Sequence, residues 1–471
     1  MKNIILQTGA AMGKILKASN LKKTIHYLKK NGFRQAYFAA RERIDCERAD
    51  DYAYEAPAQE ELLRQEEDSR KFSVKFSILV PAYETREDYL RAMVDSVLHQ
   101  TYDNFELILA DASESDQVEQ VMKTYDDKRI LYKRLKQNGG ISTNTNQALM
   151  YATGDYAALL DHDDVLTKDA LYEMAACIRK AESEHIELQL LYSDEDKCDE
   201  SGTRFYEVHK KEKFNLDLIL SNNYICHFLV MKRQMMQELQ LRSVCDGAQD
   251  YDLVLRAVSL MLGKDKKRKK AEQLPIVHVP KVLYHWRCHS SSTAENPESK
   301  RYAYEAGKRA VEDFMRLRGW KGKVSHLRHL GFYRIDYEPD LIANRPDVAL
   351  VGGRLLDKNN KITGGIYNGS GEGMYVGLHK EYSGYMHRAS LQQEAEMIDV
   401  RCMIASDEAE KILEEMTGLP YLKNPQTGRF DYRGSLKEDA DYREISRRLC
   451  EKVRERSMRI VWDPAMTEKL K

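Results

Sequence analysis

The sequence predicts an α/β protein organised around a doubly wound, mostly parallel sheet. Two observations carry this. Between residues 76 and 164, continuous apolar runs alternate with segments of helical periodicity, as expected of strands covered on both faces by crossover helices. The polar residues of that stretch gather where the runs end, at Pro81 to Glu84, Asp111 to Ser113 and Asp161 to Asp164. Open α/β sheets bind ligands at just those strand ends.

The elements follow in order. FSILVPAY (76–83) is the first strand and EDYLRAMVDSVLHQTY the helix behind it. FELILADAS (105–113) is a second strand, DQVEQVMKTYDD a helix and RILYKRL a third strand. ISTNTNQALMYAT is a helix, and YAALLDHDD the fourth strand. Then come a helix (LTKDALYEMAACIRKAES), a strand (LQLLYSDED), a short helix from GAQDYDLVLRAVSL and a strand pair around PIVHVPKVLYHWRCH. RYAYEAGKRAVEDFMRLRG is a helix that closes the domain near residue 320.

The remainder echoes the middle of the chain. VALVGGRLLDKNNKITGG resembles LQLLYSDEDKCDESGTR, and IDVRCMIASDEAEKILEEMTGLP resembles YICHFLVMKRQMMQELQLR. DADYREISRRLCEKVRERSMRIVWDPAM resembles AQDYDLVLRAVSL with the later IVHVPKVL. The order is kept, which predicts a partial, catalytically silent repeat without the nucleotide half. The expected division is therefore 1–72, a basic then acidic helical segment; 73–325, the main domain; and 326–471, the repeat.

Bulk properties exclude several classes. With 471 residues, 42% hydrophobic and 32% charged, the chain is globular and supports more than one core. Its eight cysteines are scattered without a Cys-x-x-Cys pair, which favours reduced thiols over disulfides or a zinc site. No apolar run reaches the roughly 18–20 residues of a membrane span, and the apolar part of MKNIILQTGAAMGK is short for a signal peptide. These features predict a cytoplasmic protein. The net charge of −1 names no partner, but the basic N-terminal segment and GKDKKRKK (263–270) fit either solvated faces or peripheral contact with anionic lipid on the inner membrane face. No nucleic-acid motif accompanies them.

DHDD places three carboxylates within four residues at the end of a buried strand. They repel one another and resist desolvation, so a metal ion, a buried arginine or water must face them. Asp-x-Asp at a strand end suits a hard divalent cation with oxygen ligands, Mg²⁺ or Mn²⁺, which keeps few protein carboxylates and completes its shell with phosphates and water. Asp163 is then the metal ligand and Asp161 reaches the ribose or a metal-bound water. Asp164 caps the helix that begins near Thr167.

FSILVPAYETREDYLRAMVDSVLHQTYDNFELILADAS, NGGISTNTNQAL, GDYAALLDHDD and QDYDLVLRA together resemble the family-2 glycosyltransferases, over roughly residues 76–320. The resemblance implies the nucleotide-diphospho-sugar transferase fold termed GT-A. The basic N-terminal segment, YSDEDK and LYHWRCHSSSTA further resemble the bacterial rhamnosyltransferase-like branch that builds surface polysaccharides.

The resemblance implies roles. Pro81, Ala82, Tyr83 and Glu84 hold the nucleotide, and Asp111 reads its base. Gly140, Ile141, Ser142 and Asn146 line the nucleotide-sugar pocket, together with Asp161. Many relatives carry Asn where Glu84 stands and Arg where Thr145 stands. Asp250 is the general base that inverting transfer needs, with Asp252 as the fallback. Gln249 positions the acceptor, and Asp194, Trp286 and His227 line its site, while Asp196 is a second acid of the YSDED turn. His289 in WRCH joins Asp163 at the metal or diphosphate, with His285 in reserve. The expected activity is metal-dependent inverting transfer of a sugar from a nucleoside-diphosphate donor, UDP- or dTDP-linked and rhamnose among the candidates, to a growing surface polysaccharide or lipid-linked glycan. The rivals are a glycoside hydrolase with paired carboxylates and a non-catalytic scaffold that binds glycan or nucleotide sugar.

Overall fold

The structure, a computed structural model, describes residues 32–42, 52–263, 270–271, 273–289 and 301–470. The basic N-terminal segment before residue 32 and most of the 263–270 loop lie outside them. The chain divides into two compact units, one of residues 52–345 and one of 346–471 with the N-terminal 51 residues.

The larger unit opens with helix α1 (Gln59–Ser69). Then follow β1 (Phe76–Ala82), α2 (Glu87–Leu98), β2 (Phe105–Asp111), α3 (Gln117–Met122), β3 (Ile130–Arg134), α4 (Ile141–Leu149) and β4 (Tyr156–Leu159). The fold class read from the sequence is observed. β1, β2, β3 and β4 pair in parallel in the order β3-β2-β1-β4. Their inner residues, including Phe76, Ile78, Leu107, Leu109 and Ala158, are fully or almost fully buried in one core.

Beyond β4 the sheet becomes mixed. β5 (Val165–Leu166), α5 (Ala170–Ser183), β6 (Leu190–Cys198), β7 (Phe205–His209), α6 (Leu216–Ser221), β8 (Leu229–Lys232), α7 (Arg233–Leu239), α8 (Gln249–Met261) and β9 (Ile276–Arg287) continue the chain. The order runs β4-β8-β6-β9-β5, with β4–β8 and β8–β6 antiparallel and β6–β9 parallel. The expected strand pair around PIVHVPKVLYHWRCH is one strand, β9. Pro280 lacks an amide donor, and the ladder slips there, with Ser193 opposite Val279 but Asp194 opposite Val282, so the strand continues past the proline.

The boundaries also differ from those expected at 72/73 and 325/326. α1 packs into the larger unit through Gln65, which accepts from Thr101, and Asp68, which accepts from Tyr172. The helix α9 (Arg301–Arg318) does not close the unit, because the hairpin β10 (Gly322–His326) and β11 (Tyr333–Tyr337) follows it. The fully buried Arg345 pairs with Asp217 of α6. Among the described residues no helix is long and apolar enough to cross a membrane.

Early in β2 a polar knot joins three strands' beginnings. Glu106 accepts from Lys75, Ser77 and the Thr153 hydroxyl and backbone. Burial alone would raise this carboxyl, but these donors hold it down to about 2. A depressed carboxyl stabilises the fold above its ordinary range and loses that contribution as pH falls through its folded value. Glu106→Gln should therefore cost about 2–3 kcal/mol near neutral pH and progressively less below pH 4. Urea unfolding at the two pH values checks this, and equal losses at both would refute it.

In the second unit β12 (Val348–Leu356) is the central strand. Its sheet neighbours are β13 (Ile362–Gly364), β14 (Met403–Ala405) and β15 (Arg459–Lys469). Helices α10 (Asp407–Thr417) and α11 (Tyr442–Glu455) lie between β14 and β15 in the chain. β12 pairs antiparallel with β14 and parallel with β15. β6 pairs with β8 and β9 in the same two senses.

Candidate active site

The first strand end is built by β1 and β2. Glu84 stands just past Pro81, Ala82 and Tyr83 with φ +47°. Its carboxylate accepts from the backbone of Glu114 and Ser115 and from the Ser115 hydroxyl, which hold it below the usual carboxylate range. Glu84 thus fastens the loop after β2 and leaves Tyr83 42% exposed beside it. Asp111 is fully buried, accepting from Ser113 N–H, the Tyr132 hydroxyl and Arg134. Its orientation is set in advance by those three donors.

At the start of α4, Gly140 has φ +85° and lies so close to Asp246 that a Cβ would sit 2.5 Å from Oδ2. Only glycine fits there. Asp246 in turn accepts from the Ser142 amide, next to Ile141 at the helix N-terminus. Asn146 faces away from this entrance: its carboxamide both donates to and accepts from the Leu241 backbone, as a strut between α4 and the chain after α7. Thr145, where an arginine was anticipated in relatives, donates to the Ile141 carbonyl within its own helix.

The DHDD segment lies past β4, against the end of β9. Asp163 Oδ2 and His289 Nε2 are 2.9 Å apart, so the two expected metal ligands are neighbours. Asp161, Asp164 and His227 offer further donor atoms within 4.8 Å of one another. Asp164 does not cap a helix. It accepts the Arg287 amide at 2.7 Å and the Tyr284 hydroxyl at 2.5 Å, while α5 begins at Ala170, one residue after Asp169. Burial, followed by Asp163 and Asp161, pushes the Asp164 carboxyl well above its ordinary value. Burial raises Asp161 also, and Asp163 and Asp250 add to that, opposed by His227. Such a concentration of acid, with an imidazole and a carboxylate already adjacent, fits a hard divalent cation held by Asp163 and His289.

Asp250, in the first turn of α8, is therefore electrostatically part of the same site. Its Oδ2 accepts from Asn223 at 2.7 Å. Asp252, the fallback base, is unsuitable: Arg242 grips it with two nitrogens, and Arg256 holds Oδ2. Gln249 turns back to accept the Gly247 amide.

The YSDED acids divide by strand alternation. Glu195 shares a face with Tyr284, Trp286 and His227. His227 stacks on Tyr284 at 4.5 Å, donates from Nδ1 to Glu195 Oε2 at 3.0 Å, and brings Nε2 to 3.5 Å from Cys226 Sγ. Trp286 is half-buried, 5.8 Å from His227 with Lys197 above it. Asp194 and Asp196 lie on the opposite face and are buried. Asp194 is taken by His278 and the Lys211 amide, and Asp196 by His285 and Tyr52. His285, the reserve metal ligand, is accordingly engaged away from Asp163. Burial would raise Glu195, but Lys211, His227 and His209 outweigh it and hold the carboxyl well below its ordinary range. Asn223, Glu195, Lys211 and Tyr284 were not singled out for this site in the sequence. The signal that finds them is the run of acids inside an apolar strand, which requires buried donors nearby.

Residues 77–240 match the family described as glycosyl transferase family 2. This segment is a family-2 glycosyltransferase domain. It holds β1 through α7, and with them the strand ends that carry Glu84, Asp111 and the DHDD acids. An uncharacterized protein (y4gI) of Sinorhizobium fredii is 37% identical over 243 residues, 51% of this chain and 25% of that protein. The O-antigen biosynthesis protein RfbC of Myxococcus xanthus is 28% identical over 279 residues, 58% of this chain and 20% of that protein. The chain thus matches only a quarter and a fifth of the length of these relatives. Among solved structures, that of TarS 1-349 from S. aureus is 20% identical, covering 51% of this chain and 65% of its own, with a TM-score of 0.38. So loose a superposition carries no argument about this family-2 domain.

Proposed function

We propose that the protein is an inverting glycosyltransferase that moves a sugar from a nucleoside-diphosphate donor, UDP- or dTDP-linked, to a hydroxyl of a growing surface polysaccharide or lipid-linked glycan. The observation that carries the reading is the convergence of Asp161, the Asp163–His289 pair and Asp250 at one end of a family-2 sheet. Rhamnose as the donor sugar rests on the resemblance of the basic N-terminal segment, YSDEDK and LYHWRCHSSSTA. The polysaccharide acceptor is supported by the O-antigen role in the Myxococcus relative's name.

In this mechanism Tyr83 and Asp111 hold the nucleotide, and Asp161 orients the sugar. Asp163 and His289 would hold Mg²⁺ or Mn²⁺, which would supply positive charge to offset that of the diphosphate. The acceptor oxygen forms its bond to the anomeric carbon from the face opposite the diphosphate, whose bond to that carbon breaks. Asp250 takes the acceptor's proton as attack proceeds.

The test is thermal stabilisation by UDP, dTDP and GDP, each with and without Mg²⁺ or Mn²⁺. One nucleotide at a hundredfold excess over its Kd should add about 2.7 kcal/mol in the presence of metal, and Asp163→Asn should abolish the increment. Absence of any shift would sink the donor assignment and favour a non-catalytic scaffold.

A further inference from the structure

On the reading that Asp250 is the base, we infer that Asn223 is its positioning residue, carried on a short segment that a buried lysine locks in place. The segment runs from Asn223 to His227, between α6 and β8. It serves both halves of the site. At one end Asn223 Nδ2 donates to Asp250 Oδ2 at 2.7 Å. At the other, His227 stands between Glu195 and the strand-end acids.

Three features make this a device rather than a chance contact. First, the Asn223 carboxamide is oriented from within its own turn: its oxygen accepts the Cys226 amide at 3.4 Å, so its NH₂ must face Asp250. Second, the segment cannot swing. Lys211, whose side chain is fully buried, directs its ammonium at the carbonyls of Ile225 and His227 and at Glu195 Oε2, which uses all three donors. Third, the neighbouring acid shows the alternative. Asp252, two residues further along α8, has two guanidiniums on its carboxylate. Among the described residues, Asp250 meets a single neutral amide. That donor pins one oxygen, fixes the carboxylate plane, and leaves Oδ1 to receive the acceptor's proton.

A residue that acts through Asp250 should affect turnover and leave donor binding alone. Asn223→Ala is expected to lower kcat by about ten- to a hundredfold. The donor KM and the nucleotide-induced thermal shift should stay at wild-type values. Asn223→Asp keeps the side-chain volume and sets two carboxylates at hydrogen-bond distance, which resist joint ionisation. The acid limb of its rate–pH profile should therefore move to higher pH. The charge of Asp250 also bears on Asp161, Cys226 and Tyr251, and neither substitution removes these groups.

The inference is overturned if both variants keep wild-type kcat and an unmoved acid limb while Asp250→Asn is inactive. It is also overturned if kcat, donor KM and melting temperature all worsen together, since that is the behaviour of a merely structural residue. Full turnover by Asp250→Asn would instead remove the base assignment on which the inference rests.

Discussion

Replacing Asp250 by asparagine should reduce sugar transfer by about a thousandfold, within the 10²–10⁴ that general-base catalysis contributes. Asparagine keeps the shape and can still meet Asn223 after an amide flip, so α8 should remain in place. What disappears is the capacity to hold a proton in the transition state. Because nucleotide and metal are assigned to other residues, the stabilisation of the variant by them should match that of the native protein. Single-turnover transfer assays alongside melting curves separate the two effects. Near-native turnover would exclude Asp250 as the base, and Asp252 could not replace it, gripped as it is by Arg242 and Arg256.

The second large effect is on stability. Lys211→Met should destabilise the protein by about 3–5 kcal/mol, the range for removing one partner of a buried ion pair. Methionine fills much of the lysine's volume but leaves Glu195 with only imidazoles and frees the carbonyls of Ile225 and His227. The pH dependence gives the sign. Glu195 is held well below its ordinary range, so its contribution is present above that range and is lost as pH falls through the folded value. The penalty of Lys211→Met should accordingly be full at pH 7 and shrink in acid. Denaturant unfolding of both proteins measures it, and a loss under 1 kcal/mol at pH 7 would show that the cluster relaxes or hydrates.

Much of the nucleotide half was legible from residues alone. β1, β2, β3 and β4 are continuous apolar runs, and nothing in a tertiary context competes with that pattern. The Asp163–His289 neighbourhood was anticipated through the family resemblance of DHDD and WRCH, and the two side chains meet because each segment ends a strand of the same sheet. The other half was harder, for reasons of register. Which of Asp194 and Glu195 stands opposite Tyr284 depends on ladder slips beside Pro280, which strand alternation alone does not locate. His285 and His289 differ in role because one side chain lies within the strand, on the far face, and the other lies just past its end. Asn146 looked like a pocket residue from its place in NGGISTNTNQAL, yet its partner is a backbone 95 positions away, beyond the reach of local pattern.

The shared strand pairing of the two units makes this chain its own control experiment. Leu190 and Leu350 occupy the same place in their ladders, opposite Met231 and Ala405 on one side and Ile276 and Ile460 on the other. Counting forward equally from each, Glu195 corresponds to Leu355 and Asp196 to Leu356. One version of the strand carries acids that demand a buried ammonium and several imidazoles to be tolerated. The other carries two fully buried leucines, each worth about 1.5–3 kcal/mol with no charged companion required. If the larger unit holds the proposed reactive centre, its strand has exchanged hydrophobic adhesion for electrostatic tension.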